Sequence, residues 1–261
     1  MQFRFLSVIG LFLAFIPLSN ADEWSKTYTI SGKPDLRVET SDANIKVDTW
    51  DQNTIDVHVT TERYKIGSDI KVIEHQNGDS VEVEVREAHH FVISFGPSRV
   101  DVNIHLPRQG RVNLHTGDGS ITLANFRGDM ELDSGDGHEE IDSVDGNLRA
   151  HTRDGHVRAA GRFDNLDINT GDGRVEARAS SGSSIASNWN IRTGDGSVTL
   201  ELPANFAADV DLHTGDGHIS LDLPLTVEGR LGERNIHGKM NGGGGLLTVH
   251  TGDGSIRIEK S

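Results

Sequence analysis

Thirteen of the 261 residues are histidine and 40 are acidic, and several of them recur at a fixed offset. His115, Asp133 and His151 stand 18 residues apart, as do His138 and His156. Imidazole and carboxylate together are ordinary ligands for divalent metals such as zinc. If residues one repeat apart lie side by side, His115, Asp133 and His151 form one column. His138 and His156 form a second, with Asp136 and Asp154 alongside. A column holds a metal only where a second shell fixes its rings, so the same residues read equally as an exposed polar face. Carboxylates offer another chemistry. Asp136, Asp154 and Asp172, with Arg153 and Arg174 beside them, make a mixed cluster of the kind that glycan-cleaving enzymes use. Glu139 stands apart as the one charged residue at an otherwise apolar position. It is either turned outward by a register shift or buried with a raised pKa.

The elements that must position these residues are turns between short alternating segments. A Thr/Ser-x-Asp-Gly core recurs at Thr116–Gly119, Ser134–Gly137, Thr152–Gly155, Thr170–Gly173, Thr193–Gly196, Thr214–Gly217 and Thr251–Gly254; the second position is glycine except at Arg153. The first four copies are 18 residues apart and the later intervals are 23, 21 and 37. Two residues after each Asp-Gly comes Ile121, Glu139, Val157, Val175, Val198, Ile219 or Ile256. Two before each Thr/Ser comes Leu114, Leu132, Ala150, Ile168, Ile191, Leu212 or Val249. That period of two marks strands, and it puts the Thr/Ser hydroxyl on the inward face. A strand-bearing period near 20 predicts a solenoid whose coils rise about 4.8 Å each. Further corners near Ala124-Asn125 and Arg127-Gly128-Asp129 leave strands of three to four residues. The expected fold is therefore all-β, a narrow three-faced parallel β-helix.

At the corner, glycine is expected to supply positive φ and the aspartate to accept a turn amide. Asp118, Asp136, Asp154, Asp172, Asp195, Asp216 and Asp253 thus read as structural turn residues. Stacked like charges repel unless local donors or a cation hold them, which leaves calcium as an alternative. The nine-residue, paired-glycine calcium repeat is absent. Because this aspartate recurs in every copy, it obeys the repeat as a turn residue should, whereas catalytic residues should break it.

Met1–Ala21 carries a lone Arg4, an apolar run from Phe5 to Ile16 and small residues at Ser19 and Ala21, the pattern of a secretory signal peptide cleaved before Asp22. The run is shorter than a spanning helix, so no transmembrane anchor is expected in the mature chain. There is no cysteine, which excludes disulfides, thiol catalysis and acylation at cysteine. The formal net charge of −15 becomes −16 without the leader. An acidic surface argues against nucleic acid and anionic membrane, and it also keeps a strand-rich protein soluble.

Residues 22–106 alternate without the repeat and are expected to cap a solenoid spanning 107–261, since an open end exposes strand edges. Thr40-Ser-Asp-Ala43 reads as a degenerate first copy, Asn77-Gly78 as a hairpin turn and Phe91-Val-Ile-Ser-Phe95 as a strand. His89-His90 falls on a loop. The long interval before Thr251, with Pro224 and Asn241-Gly-Gly-Gly-Gly245, reads as an excursion from the stack that returns for Ile256–Ile258.

These features together, with Leu106-Pro107 closing the irregular part, Leu202-Pro-Ala-Asn-Phe206 and the late glycine run, resemble a bacterial β-strand-repeat family of unknown function that carries the label putative adhesin. The resemblance spans about Leu36 to Ile258. It implies an exported or membrane-linked envelope protein with a right-handed β-helix, and it supplies no catalytic residues. The expectation is a non-enzymatic binding or scaffold module of the cell envelope, periplasmic, surface-bound or secreted, with a glycan or envelope protein as partner. No cofactor is expected, calcium or zinc being the alternatives. A glycan-cleaving enzyme and a metal-binding solenoid are the competing readings, and the sequence fixes no oligomeric state.

Overall fold

The computed structural model describes residues 21–88, 99–227 and 232–261. The expected leader up to Asn20, the pair His89-His90 and the Phe91–Phe95 strand lie outside the described residues. Twenty-one strands and no helix are found among the described residues, and the strands join into one hydrogen-bonded sheet. No described helix is long and apolar enough to cross a membrane.

Coils stack in parallel with the repeat in register. Strands leading into each corner form an approach face: Asp35–Thr40, Gln109–Thr116, Arg127–Ser134, the second half of Glu139–Thr152, the second half of Val157–Thr170, Asn188–Thr193, Leu246–Thr251 and Ala208–Thr214. Strands leaving each corner form an exit face that includes Asn44–Trp50, Ile121–Ala124, Val175–Ala179, Val198–Leu202, Ile256–Lys260 and Ile219–Leu221. Thr40, Thr116, Ser134, Thr152, Thr170, Thr193, Thr251 and Thr214 therefore lie in one column. The period-2 pattern explains the core. Leu114, Ile121, Ile168 and Val175 face inward and are fully buried, each contributing about 1.5–3 kcal/mol. Phe163, Trp189 and Phe206 pack together in the interior, with successive ring centroids 6.1 and 4.8 Å apart.

Two features differ from the expectation. Glu139–Thr152 and Val157–Thr170 each run for 14 residues, instead of breaking into strands of three or four. The bends at the other two corners are register shifts within a continuous ladder, near Ile141/Val144 and Gly146/Asn147. A bulge turns the chain without giving up strand pairing. Asn125 (φ 59°), Gly128 (φ 133°), Ser143 (φ 56°) and Gly146 (φ 132°) take positive φ there.

The stack order also departs from chain order at both ends. The Leu246–Lys260 coil lies between the Asn188–Leu202 coil and the Ala208–Leu221 coil. Likewise, Asp35–Trp50 lies between the Ser80–Glu87 and Arg99–Pro107 strands on one side and the Thr116 coil on the other. At each end the chain overshoots by one layer and returns. Antiparallel strands then cover the outermost edges: Ile70–Asn77 on Ser80–Glu87, joined through the Asn77-Gly78 turn, Thr54–Glu62 on Arg99–Pro107, and Asn235–Met240 on Ala208–Thr214. Covered edges prevent strand-to-strand association.

Candidate ligand-binding face

The repeating corner is built by the hydroxyl and the second glycine. Thr116 donates to the carbonyl of Ala43, Ser134 to Gly119, Thr152 to Gly137, Thr170 to Gly155, Thr193 to Gly173, Thr251 to Gly196 and Thr214 to Gly254, at 2.7–3.2 Å. In five coils the same hydroxyl accepts the N–H of its own second glycine, as in Gly173 to Thr170 at 3.1 Å. Each buried hydroxyl thus ties two coils together, which offsets its desolvation.

The glycines are required for close approach, contrary to the positive-φ expectation; none of the corner glycines has φ in the left-handed region. A Cβ at Gly155 would lie 1.8 Å from the carbonyl oxygen of Gly137, and one at Gly173 would lie 1.7 Å from that of Gly155. The first glycine is roomier in five copies, with 2.4–2.6 Å at Gly135, Gly171, Gly194, Gly215 and Gly252, whereas a Cβ at Gly117 would lie 2.0 Å from the carbonyl oxygen of Ser41. That is the position where Arg153 stands in one copy.

The seven turn aspartates are exposed along this edge. Among the described residues none accepts a turn amide of its own corner, because the Thr/Ser hydroxyl takes that role. Asp136 pairs with Arg153 at 3.3 Å and Asp216 with Arg234 at 3.1 Å. Asp136, Asp154 and Asp172 do stack with Arg153 and Arg174 close by, but on an open edge instead of a cleft flanking a bond to be cut.

The histidine columns form as the 18-residue spacing predicts, without converging on a point. The rings of His138 and His156 are parallel within 9° with centroids 5.0 Å apart. Two nitrogens on one tetrahedral zinc would be about 3.3 Å apart. Their Nδ1 atoms accept the backbone N–H of His156 and Arg174, at 3.2 and 3.0 Å. His115, Asp133 and His151 are lateral neighbours, with His115 Nδ1 3.6 Å from Asp133. Among the described residues, no group of three or more His, Asp or Glu side chains is placed to hold a metal ion. Stacked strands keep these side chains parallel, so His138 and His156, and likewise His115, Asp133 and His151, lie side by side along the stack. A cluster outside those sets gathers at the far end. Asp211 takes His237 at 3.2 Å on one oxygen and His250 at 3.7 Å on the other, so these rings address the carboxylate separately.

Glu139 faces inward between Ile121 and Val157, fully buried, with both carboxyl oxygens lacking a hydrogen-bond partner. Burial, with Asp133 adding to it, pushes its pKa well above the ordinary carboxylate range. Its coil is also the one whose corner carries serine, so the interior departs from the repeat twice in the same layer.

Outward positions of the approach face break the repeat throughout. Side chains there line a groove of about 790 Å³ that crosses seven layers, from Ser80 and Glu82 through Arg111, Asn147 and Asn165 to Asn188. Its charges are matched laterally: Arg37 with Glu82 at 3.6 Å, Arg111 with Asp129 at 3.6 Å, and Arg149 with Glu131 at 3.9 Å and Asp167 at 3.3 Å. Amides and a hydroxyl run between them. Asn113 donates to Glu131 at 3.0 Å, Asn147 to Asp129 at 2.8 Å, Asn165 to Asn147 at 2.8 Å and Ser187 to Asn165 at 2.7 Å. Such exposed pairs add little stability, but they hold donors and acceptors in fixed directions along the groove. Reading the residues three and five before each Thr/Ser would have found this face.

The family model for Toastrack DUF4097 matches residues 34–259. No curated protein matches the chain. Similar solved structures include a "putative cell adhesion protein" of Clostridium sporogenes, 16% identical, covering 92% of this chain and 99% of that one at a TM-score of 0.46. A "putative adhesin" of Parabacteroides merdae is 10% identical over 93% and 98% of the two chains, at 0.45. A "putative lipid binding protein" of Parabacteroides distasonis is 13% identical over 93% and 98%, at 0.41. With the model covering nearly the whole described stack, the chain belongs to the Toastrack DUF4097 family.

Proposed function

We propose that this protein is an exported, non-enzymatic binding module of the cell envelope, taking an extended polar polymer along the approach-face groove. In this reading the stack is a right-handed, three-faced β-helix, with the antiparallel strands Ala21–Thr29, Thr54–Glu62 and Ile70–Asn77 forming one cap and the strand Asn235–Met240 the other. The observation that supports it is the contrast within the coils: a hydroxyl, an aspartate and a second glycine recur at all seven Thr/Ser-x-Asp-Gly corners, while the groove presents a different polar pair in each layer it crosses. A scaffold must repeat to stack, and recognition needs surface that does not. The groove carries ordered amides and charges already matched by neighbours, an arrangement suited to hydrogen-bonding a polymer.

The test is co-sedimentation of the mature chain with insoluble envelope polysaccharide. Wild type and the edge variant Asp154→Ala/Asp172→Ala are expected in the pellet, and Asn147→Ala/Arg149→Ala/Asn165→Ala in the supernatant. Retention of the groove variant with loss of the edge variant would move the function to the corner. Release of reducing ends, lost in Asp154→Ala and kept in Asp253→Ala, would make the protein an enzyme.

A further inference from the structure

We propose that the groove binds a neutral, extended β-1,4-linked polysaccharide with one sugar per coil, an inference that rests on the binding reading above. The first support is spacing. Neighbouring coils present outward residues such as Asn113, Glu131, Arg149 and Asp167 in register, one strand spacing of about 4.8 Å apart. A flat β-1,4-linked hexose chain advances by nearly that distance per ring. An extended peptide advances about 3.4 Å per residue and would fall out of step within two coils. An α-1,4-linked glucan curls and would leave a straight groove.

The second support is charge. The Arg37–Glu82, Arg111–Asp129 and Glu131–Arg149–Asp167 pairings leave no run of unmatched cations or anions along the lining. A polyanion would meet a lining that holds five carboxylates against three guanidiniums, and a polycation would have to break these pairs to gain a surplus of only two negative charges spread over seven layers. Hydroxyls and acetamido groups instead match what is there: carboxylates that accept, guanidinium and amide N–H groups that donate, and the chain Ser187, Asn165, Asn147, Asp129 that fixes their direction. A third support is extent, since seven layers give room for about six rings.

Calorimetric titration of the mature protein with cello- and chito-oligosaccharides of two to seven units tests this. Affinity is expected to rise about threefold per added sugar, the worth of one net hydrogen bond, and to level off near six units. Asn165→Ala and Asn147→Ala should each weaken the hexamer about tenfold, with Asp154→Ala unchanged and maltoheptaose at least tenfold weaker than the hexamer. No heat with any β-1,4 oligomer, an affinity flat beyond two units, or equal binding of maltoheptaose overturns the match of one sugar per coil. If envelope polysaccharide still sediments the protein in that case, the groove remains the binding face; if sedimentation fails too, the binding reading falls with it.

Discussion

The corner edge and the approach face are made from the same coils, a few residues apart, and follow opposite rules. At the corner, each of the seven Thr/Ser-x-Asp-Gly copies uses a hydroxyl and the same second glycine, because the carbonyl of the adjacent coil leaves no room for a Cβ. Three to five residues earlier, the side chains change from layer to layer: Arg111 and Asn113, then Asp129 and Glu131, then Asn147 and Arg149. The difference separates what builds the stack from what the stack displays. Repetition alone is therefore poor evidence of chemistry, and the exposed aspartates illustrate it.

The largest expected effect breaks the corner. Gly155→Ala should cost at least about 4 kcal/mol, since its Cβ would land 1.8 Å from a backbone oxygen that cannot yield. Thermal unfolding should drop by roughly 8–16 °C. Asp154→Ala, one residue away and exposed, should stay within about 0.5 kcal/mol of wild type. Equal costs for the two would erase the distinction between corner glycine and corner acid.

Glu139 sharpens the contrast from the inside. Replacing it with valine, the residue at its register partner Val157, should stabilise the protein at pH 7 by about 2–3 kcal/mol, because an unpartnered carboxyl leaves the interior. The sign with pH follows from its raised pKa. Above the ordinary carboxylate range, the unfolded chain releases a proton that the folded chain keeps, so wild-type stability falls by about 1.4 kcal/mol per pH unit. Below that range both states hold the proton, and this loss vanishes. The gain from Glu139→Val, measured by urea unfolding between pH 4 and 8, should therefore grow with pH; a constant gain would argue that the carboxyl is not buried.

Thr170→Val keeps shape and removes the hydroxyl that donates to Gly155 and accepts from Gly173, both at 3.1 Å. Leaving two buried backbone groups unpartnered should cost about 1–3 kcal/mol in chemical denaturation, while Thr170→Ser should recover most of it, as Ser134 does naturally. Smallest of all is the effect of the groove on stability. Arg149→Ala removes ion pairs at 3.3 and 3.9 Å between exposed groups and should cost under about 1 kcal/mol, yet it should weaken polymer binding. A groove residue that proved as costly as Gly155 would be structural after all.

Much of the stack was legible in the sequence, since Leu114, Thr116 and Ile121 and their counterparts keep a period of two around a fixed corner. The degenerate Thr40-Ser-Asp-Ala43 copy takes its place against Thr116 for the same reason. Layer order at the far end was not legible. Thr251 fits against Thr193 as well as Thr214 does, so identical corners carry no information about which coils are neighbours. The role of the glycines was not legible either, since turn chemistry points to φ whereas the constraint comes from a carbonyl one coil away. The groove stayed hidden because its signal is the failure of Asn113, Glu131, Arg149 and Asp167 to repeat.

The most direct test of that division of labour is a nuclear magnetic resonance titration with a β-1,4-linked hexasaccharide, following the side-chain amides of Asn113, Asn147, Asn165 and Asn188 together with the backbone amides of the corner glycines. Shifts confined to the asparagine side chains are predicted. Shifts at Gly117, Gly135 and Gly171 with silent asparagines would contradict the assignment of function to the face that does not repeat.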